Sequence, residues 1–220
     1  MWCIQRIDPE YRKRMYDVLD LYEEKYDPKR PVICLDEKAK QIIADKIMPI
    51  PMKPGCSEMY DYEYIRNGTA NIFVAVDFKA GKRVTKVTKN RTMLDFAHFM
   101  KLLVIEGFSG AEVLRVVTDN LNIHKEKSFY EAFSEDEAKQ ILEKIEFHYT
   151  PKHASWLNAA EIEINVMDSE CTGRRIGDIG TLTNEVAAWT KRRNNNKKKI
   201  NWKFAKKNAD KKLSNIMYHN

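Results

Sequence analysis

The chain has 220 residues, of which 43% are apolar and 32% charged, enough for one domain with a sizeable core and a water-facing surface. No apolar run approaches the ~18–20 residues that span a bilayer, and residues 1–6 lack a signal-peptide pattern, so no membrane partner is expected. Cys3, Cys34, Cys56 and Cys171 are scattered without a Cys-x-x-Cys pair, which argues against a zinc knuckle or disulfide framework and for a reducing cytoplasm.

The net charge of +6 is unevenly spread. Residues 191–220 hold eleven Lys or Arg and one acid, Asp210, a local charge of +10, so the rest of the chain carries −4. A dense basic arm on a slightly acidic body suits a polyanionic partner.

Residues 8–26 read as a helix, with Asp8 and Pro9 at its start and Tyr11, Met15, Val18, Leu19 and Tyr22 at helical spacing. The apolar run Val32-Ile33-Cys34-Leu35 reads as a buried strand ending in Asp36-Glu37-Lys38. Residues 41–60, with Pro49, Pro51, Pro54 and Gly55, read as loop. Residues 70–78 and 83–88 form a hairpin across a turn at 79–82. Residues 92–105 form an amphipathic helix. Residues 113–118 make a further strand ending in Asp119-Asn120. Two helices follow, at 128–133 and 135–145, then a short strand at 146–149. Helices are expected over 155–171 and 183–193. The tail keeps Trp202 and Phe204, so part of it is expected to dock. The order implies a mixed α/β domain with a partly antiparallel sheet.

Two buried-type strands thus end in acids, Asp36 and Asp119, and a third acid, Glu161, lies on a helix after the last strand. Carboxylates at strand ends project into the crevice where such sheets bind ligands. An oxygen-only set favours Mg²⁺ or Mn²⁺, and two such ions can serve both oxygens of a phosphodiester displacement. A strand-end Asp also commonly caps the following turn, and the spacing alone leaves both readings open.

Four runs carry a resemblance. They are residues 32–38 (VICLDEK), 61–69 (DYEYIRNGT), 117–124 (VTDNLNIH) and 147–163 (FHYTPKHASWLNAAEIE). With Arg174-Arg175-Ile176 and residues 200–204, they resemble bacterial insertion-sequence transposases of the mariner-related DDE superfamily over nearly the whole chain. The resemblance implies a ribonuclease-H-like fold: a linker helix over 1–30, a catalytic domain over 31–193 and a basic arm over 194–220. It implies Asp36, Asp119 and Glu161 as catalytic metal ligands for two Mg²⁺ or Mn²⁺ ions, performing DNA cleavage and then strand transfer by phosphoryl transfer. Within the Glu161/Glu163 pair, two residues on a helix lie ~200° apart, so one alone faces the metals. Glu161 matches the motif, and Glu163 is expected to be structural or solvated.

Asn120, Asn122, His124 and Asn158 are candidates for orienting the ligands, against the plain reading of a hydrogen-bonded turn. Lys152, His153, Trp156, Arg174, Arg175, Lys191, Arg192, Arg193, Lys197, Lys198 and Lys199 are candidate DNA contacts. Trp156 either stacks on a base or packs in the core, and the hairpin cations Arg83, Lys86, Lys89 and Arg91 read as a solvated face. The implied partners are transposon-end and target DNA, a second copy in a synaptic homodimer, and a helix-turn-helix part encoded separately, at the bacterial nucleoid. The competing readings are a catalytically idle truncated regulator and a stand-alone ribonuclease-H-like nuclease.

Overall fold

The computed structural model describes residues 8–217, and the side chains of residues 8–211. Cys3, Tyr218 and the rest of residues 1–7 and 218–220 lie outside the described residues, as do the side chains of residues 212–217. The elements run α1 (Pro9–Glu23), β1 (Val32–Asp45), β2 (Tyr64–Asp77), β3 (Lys82–Thr88), α2 (Met93–Leu102), β4 (Leu114–Thr118), α3 (Lys127–Ala132), α4 (Glu135–Leu142), β5 (Ile145–Tyr149), α5 (Ala160–Met167), α6 (Ile179–Asn195) and α7 (Lys206–Met217). Local chemistry fixes several starts. The Asp8 carboxylate accepts from the Tyr11 amide at 2.7 Å ahead of α1, Thr92 and Asp95 cap α2 reciprocally, and Asp178 accepts from the Thr181 amide ahead of α6.

The strands form one mixed sheet in the order β3-β2-β1-β4-β5. The β1–β2 and β2–β3 pairs are antiparallel, and the β1–β4 and β4–β5 pairs are parallel. The alternation of side chains divides the core. Ile33, Leu35, Phe73 and Ala75 pack against Phe96, Phe99 and Met100 of α2, Phe129 of α3 and Ile141 of α4. On the opposite face Val32, Cys34 and Val76 meet Val18 and Tyr22 of α1, while Ile72 and Val74 meet Met167 of α5 and Leu182, Val186 and Trp189 of α6.

Three sequence expectations are corrected. β1 does not stop near Asp36: it continues to Asp45, because β2 still pairs with it after β4 has ended. Its parallel pairing with β4 covers Val32–Cys34 alone. Arg83 is not on a solvated face but is 1% exposed. The long helix expected over 155–171 is a 3₁₀ turn (Ser155–Leu157), α5 and a π-helical turn (Asp168–Thr172).

The basic segment after α6 folds back on the body. The Ile200 amide donates to the Phe78 carbonyl at 3.1 Å, Trp202 stands edge-on to Tyr22 and Phe204 edge-on to Trp156. Ala209 is buried with Met15 and Leu19 of α1. Gly81, at φ +77°, permits this crossing, since a Cβ there would lie 2.7 Å from the Lys197 backbone. At the other end of the sheet the β1–β2 connection projects as an arm. It exposes Met48 (88%), Met52 (75%) and Tyr62 (86%), with Ile47, Ile50, Met59 and Tyr60 also exposed.

Candidate active site

The register of β1 and β4 sets two of the three acids side by side. Cys34 lies opposite Val117 in parallel pairing, so continuing both chains by two residues brings Asp36 level with Asp119, the first residue after β4. Glu161 comes from the first turn of α5. That helix is tied to β1 by Asn158, a buried residue whose Nδ2 donates to the Leu35 carbonyl at 2.8 Å. Its Oδ1 accepts from the Ala160 amide at 3.1 Å, and its carbonyl accepts from the Glu161 amide at 3.1 Å. One side chain therefore starts α5 and fixes it to the residue preceding Asp36.

Asp36 feels the charge of both other acids. Burial raises the Asp36 carboxyl to about 7; the Glu37 amide, donating at 2.8 Å, acts against the rise, while the charges of Glu37, Asp119 and Glu161 add to it. Among the described residues, no three His, Cys, Asp or Glu side chains form a closed ligand cage as they stand. The donor set still fits a hard divalent cation: it is all oxygen, and it includes a half-buried carboxylate under like-charge pressure.

His124 touches both faces of this arrangement. Its Nδ1 lies 2.7 Å from Asp119 Oδ1, and its Nε2 lies 2.7 Å from Glu37 Oε1. Burial would lower its pKa, but hydrogen bonds to Asp119 and Glu37, with their charges, raise it to about 9. Asn122, by contrast, is exposed and accepts from the Lys125 ammonium at 3.3 Å, a turn contact. Asn120 is exposed beside Asp119, at the wall of a cleft of about 720 Å³ that Tyr11, Arg14, Lys152 and His153 also line.

The candidate DNA contacts separate into two groups. Lys152, His153, Lys191, Lys197, Lys198 and Lys199 are exposed. Trp156 is 38% exposed, with Phe204 edge-on against it. Arg174 and Arg192 are exposed but near acids, Glu185 at 2.7 Å and Glu170 at 3.7 Å. Two arginines are committed internally. Arg175 bonds Asp45 and the Asp61 carbonyl at the base of the β1–β2 arm, and Arg193 bonds Glu163 at 2.9 Å.

Sequence reasoning missed Glu37 and the structural use of Arg83. For Glu37 a signal existed: adjacent residues on a strand face opposite ways, so the second acid of Asp36-Glu37 had to enter the other side of the sheet. Nothing in the sequence marks Arg83 as buried.

The mixed sheet with helices on both faces is the ribonuclease-H-like fold. The chain belongs to the DDE superfamily endonucleases, whose family model matches residues 31–183. Solved structures with the same fold include the Mos1 mariner paired-end complex with Mn (TM-score 0.55, 13% identity, covering 87% of this chain and 58% of that one). The Mos1 strand transfer complex aligns with a TM-score of 0.57 at 13% identity, over 87% of this chain and 57% of that one. The mariner Mos1 paired-end complex with Mg gives 0.51 at 14% identity, over 86% and 57%. The chain thus spans less than three-fifths of the length of these solved chains. No curated protein matches it.

Proposed function

We propose that the chain is the catalytic part of a transposase, cutting DNA strands and joining the freed 3′ ends to target DNA, with Asp36, Asp119 and Glu161 holding two Mg²⁺ or Mn²⁺ ions. The observation that supports this most is the convergence of three elements on one spot. The β1–β4 register brings Asp36 level with Asp119, and the Asn158–Leu35 bond starts α5 so that Glu161 adds its charge to theirs. Bound there, the ions supply charge stabilisation to the attacking and leaving oxygens of a phosphodiester.

The chain's own residues do the rest. Asp36 stands on β1 and Asp119 directly follows β4, so the paired strands carry both to the same end of the sheet. Lys152 and His153 line the cleft beside Asp119 and can take a DNA backbone phosphate. Lys191 and residues 197–199 add sequence-independent attraction at the nucleoid. Arg175 and Arg193 are left out of the DNA surface, since their guanidinium groups are already engaged.

A second copy completes the assembly in this reading, and the β1–β2 arm is the surface it covers. The arm exposes seven large apolar side chains, Ile47, Met48, Ile50, Met52, Met59, Tyr60 and Tyr62, an excess of the kind that marks a protein contact. Lys46 and Lys53 beside Glu58, Asp61 and Glu63 give it both signs of charge, which suits self-pairing about a two-fold axis and not DNA.

The deciding experiment is Mn²⁺- or Mg²⁺-dependent nicking and strand transfer on transposon-end DNA, with an end-binding part supplied separately. Asp119→Asn is expected to abolish both steps. Activity surviving that change would overturn the assignment. Cleavage without joining would instead favour a simple nuclease.

A further inference from the structure

We propose that Glu37 is a positioning residue for Asp119, acting through His124 from the opposite face of the sheet. The inference rests on the reading of Asp119 as a metal ligand.

Asp36 and Glu37 are consecutive on β1, so their side chains leave the sheet on opposite sides. Asp36 faces α5. Glu37 enters the layer beneath α2, where the Phe96 ring lies 4.7 Å from the His124 ring, tilted at 40°. The Glu37 side chain is 1% exposed. A carboxylate buried this deeply is costly unless it is paired and hydrogen-bonded. Its neighbours Ile33 and Leu35 show that the same face otherwise takes aliphatic residues, so core packing alone gives no reason for an acid here.

The pairing supplies the reason. His124 is fully buried, with Glu37 Oε1 at 2.7 Å from Nε2 and Asp119 Oδ1 at 2.7 Å from Nδ1. Nδ1 also lies 3.1 Å from Thr118 Oγ1 and 3.1 Å from the Asp119 carbonyl oxygen, so the ring is held at both nitrogens. It cannot turn without breaking one bond. The loop that carries it is fixed as well: Tyr149 Oη donates to the His124 carbonyl at 2.8 Å, and Ser128 Oγ to the Ile123 carbonyl at 2.6 Å. The clamp engages Asp119 Oδ1, which also accepts from the Leu121 amide at 3.3 Å, so one oxygen of the carboxylate is held in place. Outer partners that orient a ligand in this manner commonly change metal affinity 10–100-fold when removed.

The test measures Mn²⁺ binding to the full chain by electron paramagnetic resonance, without DNA. Glu37→Gln keeps the shape and an acceptor for Nε2–H but removes the charge, and is expected to weaken Mn²⁺ binding about tenfold or more while the protein stays folded by circular dichroism. If Glu37→Gln does not fold, Glu37→Asp, which withdraws the carboxylate by one methylene, is expected to weaken binding in the same direction. Asp119→Asn separates the two levels of the argument. Weak binding in Asp119→Asn with unchanged affinity in the folded Glu37 variant overturns the positioning role alone. Unchanged affinity in both overturns Asp119 as a ligand, and the positioning role with it.

Discussion

Arg83 and Glu163 meet in a two-pronged ion pair, Nε to Oε1 at 2.8 Å and Nη2 to Oε2 at 2.8 Å, with neither side chain exposed. The pair joins β3 to α5 two residues beyond Glu161, and Arg193 of α6 binds the same carboxylate at 2.9 Å. Burial would raise the Glu163 pKa, but the hydrogen bonds and charges of the two arginines hold it below the ordinary carboxylate value. Its stabilising effect is therefore complete above the unfolded pKa of about 4.3 and is lost as pH falls through the lower folded value. Glu163→Gln leaves buried guanidinium groups uncompensated and should destabilise by roughly 3–5 kcal/mol at pH 7. In urea melts, the gap to the unaltered protein should narrow on acidification below pH ~4. A gap independent of pH would contradict this account.

Asn158 should be sensitive for a different reason. Its Nδ2 satisfies the Leu35 carbonyl in a buried setting. Asn158→Ala orphans that carbonyl and the Ala160 amide, at about 1–3 kcal/mol for the buried groups. Because the bond also fixes where α5 starts, strand cleavage should fall further than the lost stability explains. Activity assayed well below the melting temperature separates the two effects.

The mixed α/β class and the places of the buried strands were legible because the apolar runs Val32-Ile33-Cys34-Leu35 and Val113–Thr118 stand out from the polar residues around them. The three acids of the proposed site were singled out by long motifs around Asp36, Asp119 and Glu161. What stayed hidden was long-range pairing. The stretch of β1 beyond Asp36 is polar and reads as loop until β2 is known to lie beside it. Arg83 reads as surface until Glu163, eighty residues away, is placed against it. That the basic tail docks was legible in its Trp202 and Phe204, but their partners, Tyr22 and Trp156, were not. Partners distant in sequence leave no local signal.

Like charges at Asp36, Asp119 and Glu161 repel in the metal-free protein. Neutralising one should relieve that repulsion, so Asp36→Asn is expected to raise the melting temperature at pH 7 by a few degrees, as for a change of order 1 kcal/mol. Saturating Mg²⁺ should raise the melting temperature of the unaltered protein, because a ligand bound by the folded state stabilises it, and should leave Asp36→Asn unmoved. Thermal melts with and without Mg²⁺ read both effects, and a variant still stabilised by Mg²⁺ would remove Asp36 from the ligand set.

Because the segment after α6 is docked, deleting it would damage the core together with any DNA surface. Changing Lys197, Lys198 and Lys199 to Gln is the cleaner probe, since all three side chains are exposed. If each neutralises a phosphate, the slope of log K against log salt should become shallower by up to roughly 0.9 for each lysine on duplex DNA, with the melting temperature little changed. Fluorescence anisotropy across a salt series measures it. An unchanged slope would move the electrostatic contact to Lys152 and Lys191.

The β1–β2 arm gives the last prediction. Met48, Met52 and Tyr62 stand largely in water, and so many large apolar side chains exposed on one connection mark a protein contact. A second copy that covers the arm buries it on both subunits at once, since a two-fold contact uses the same patch twice. Replacing Met48 and Tyr62 with Asp places like charges against each other across that axis. Sedimentation equilibrium should show concentration-dependent dimerisation in the unaltered protein and a monomer in the double variant. Folding should be retained, because neither side chain belongs to the core. A dimer that survives both substitutions would place the subunit contact on another face.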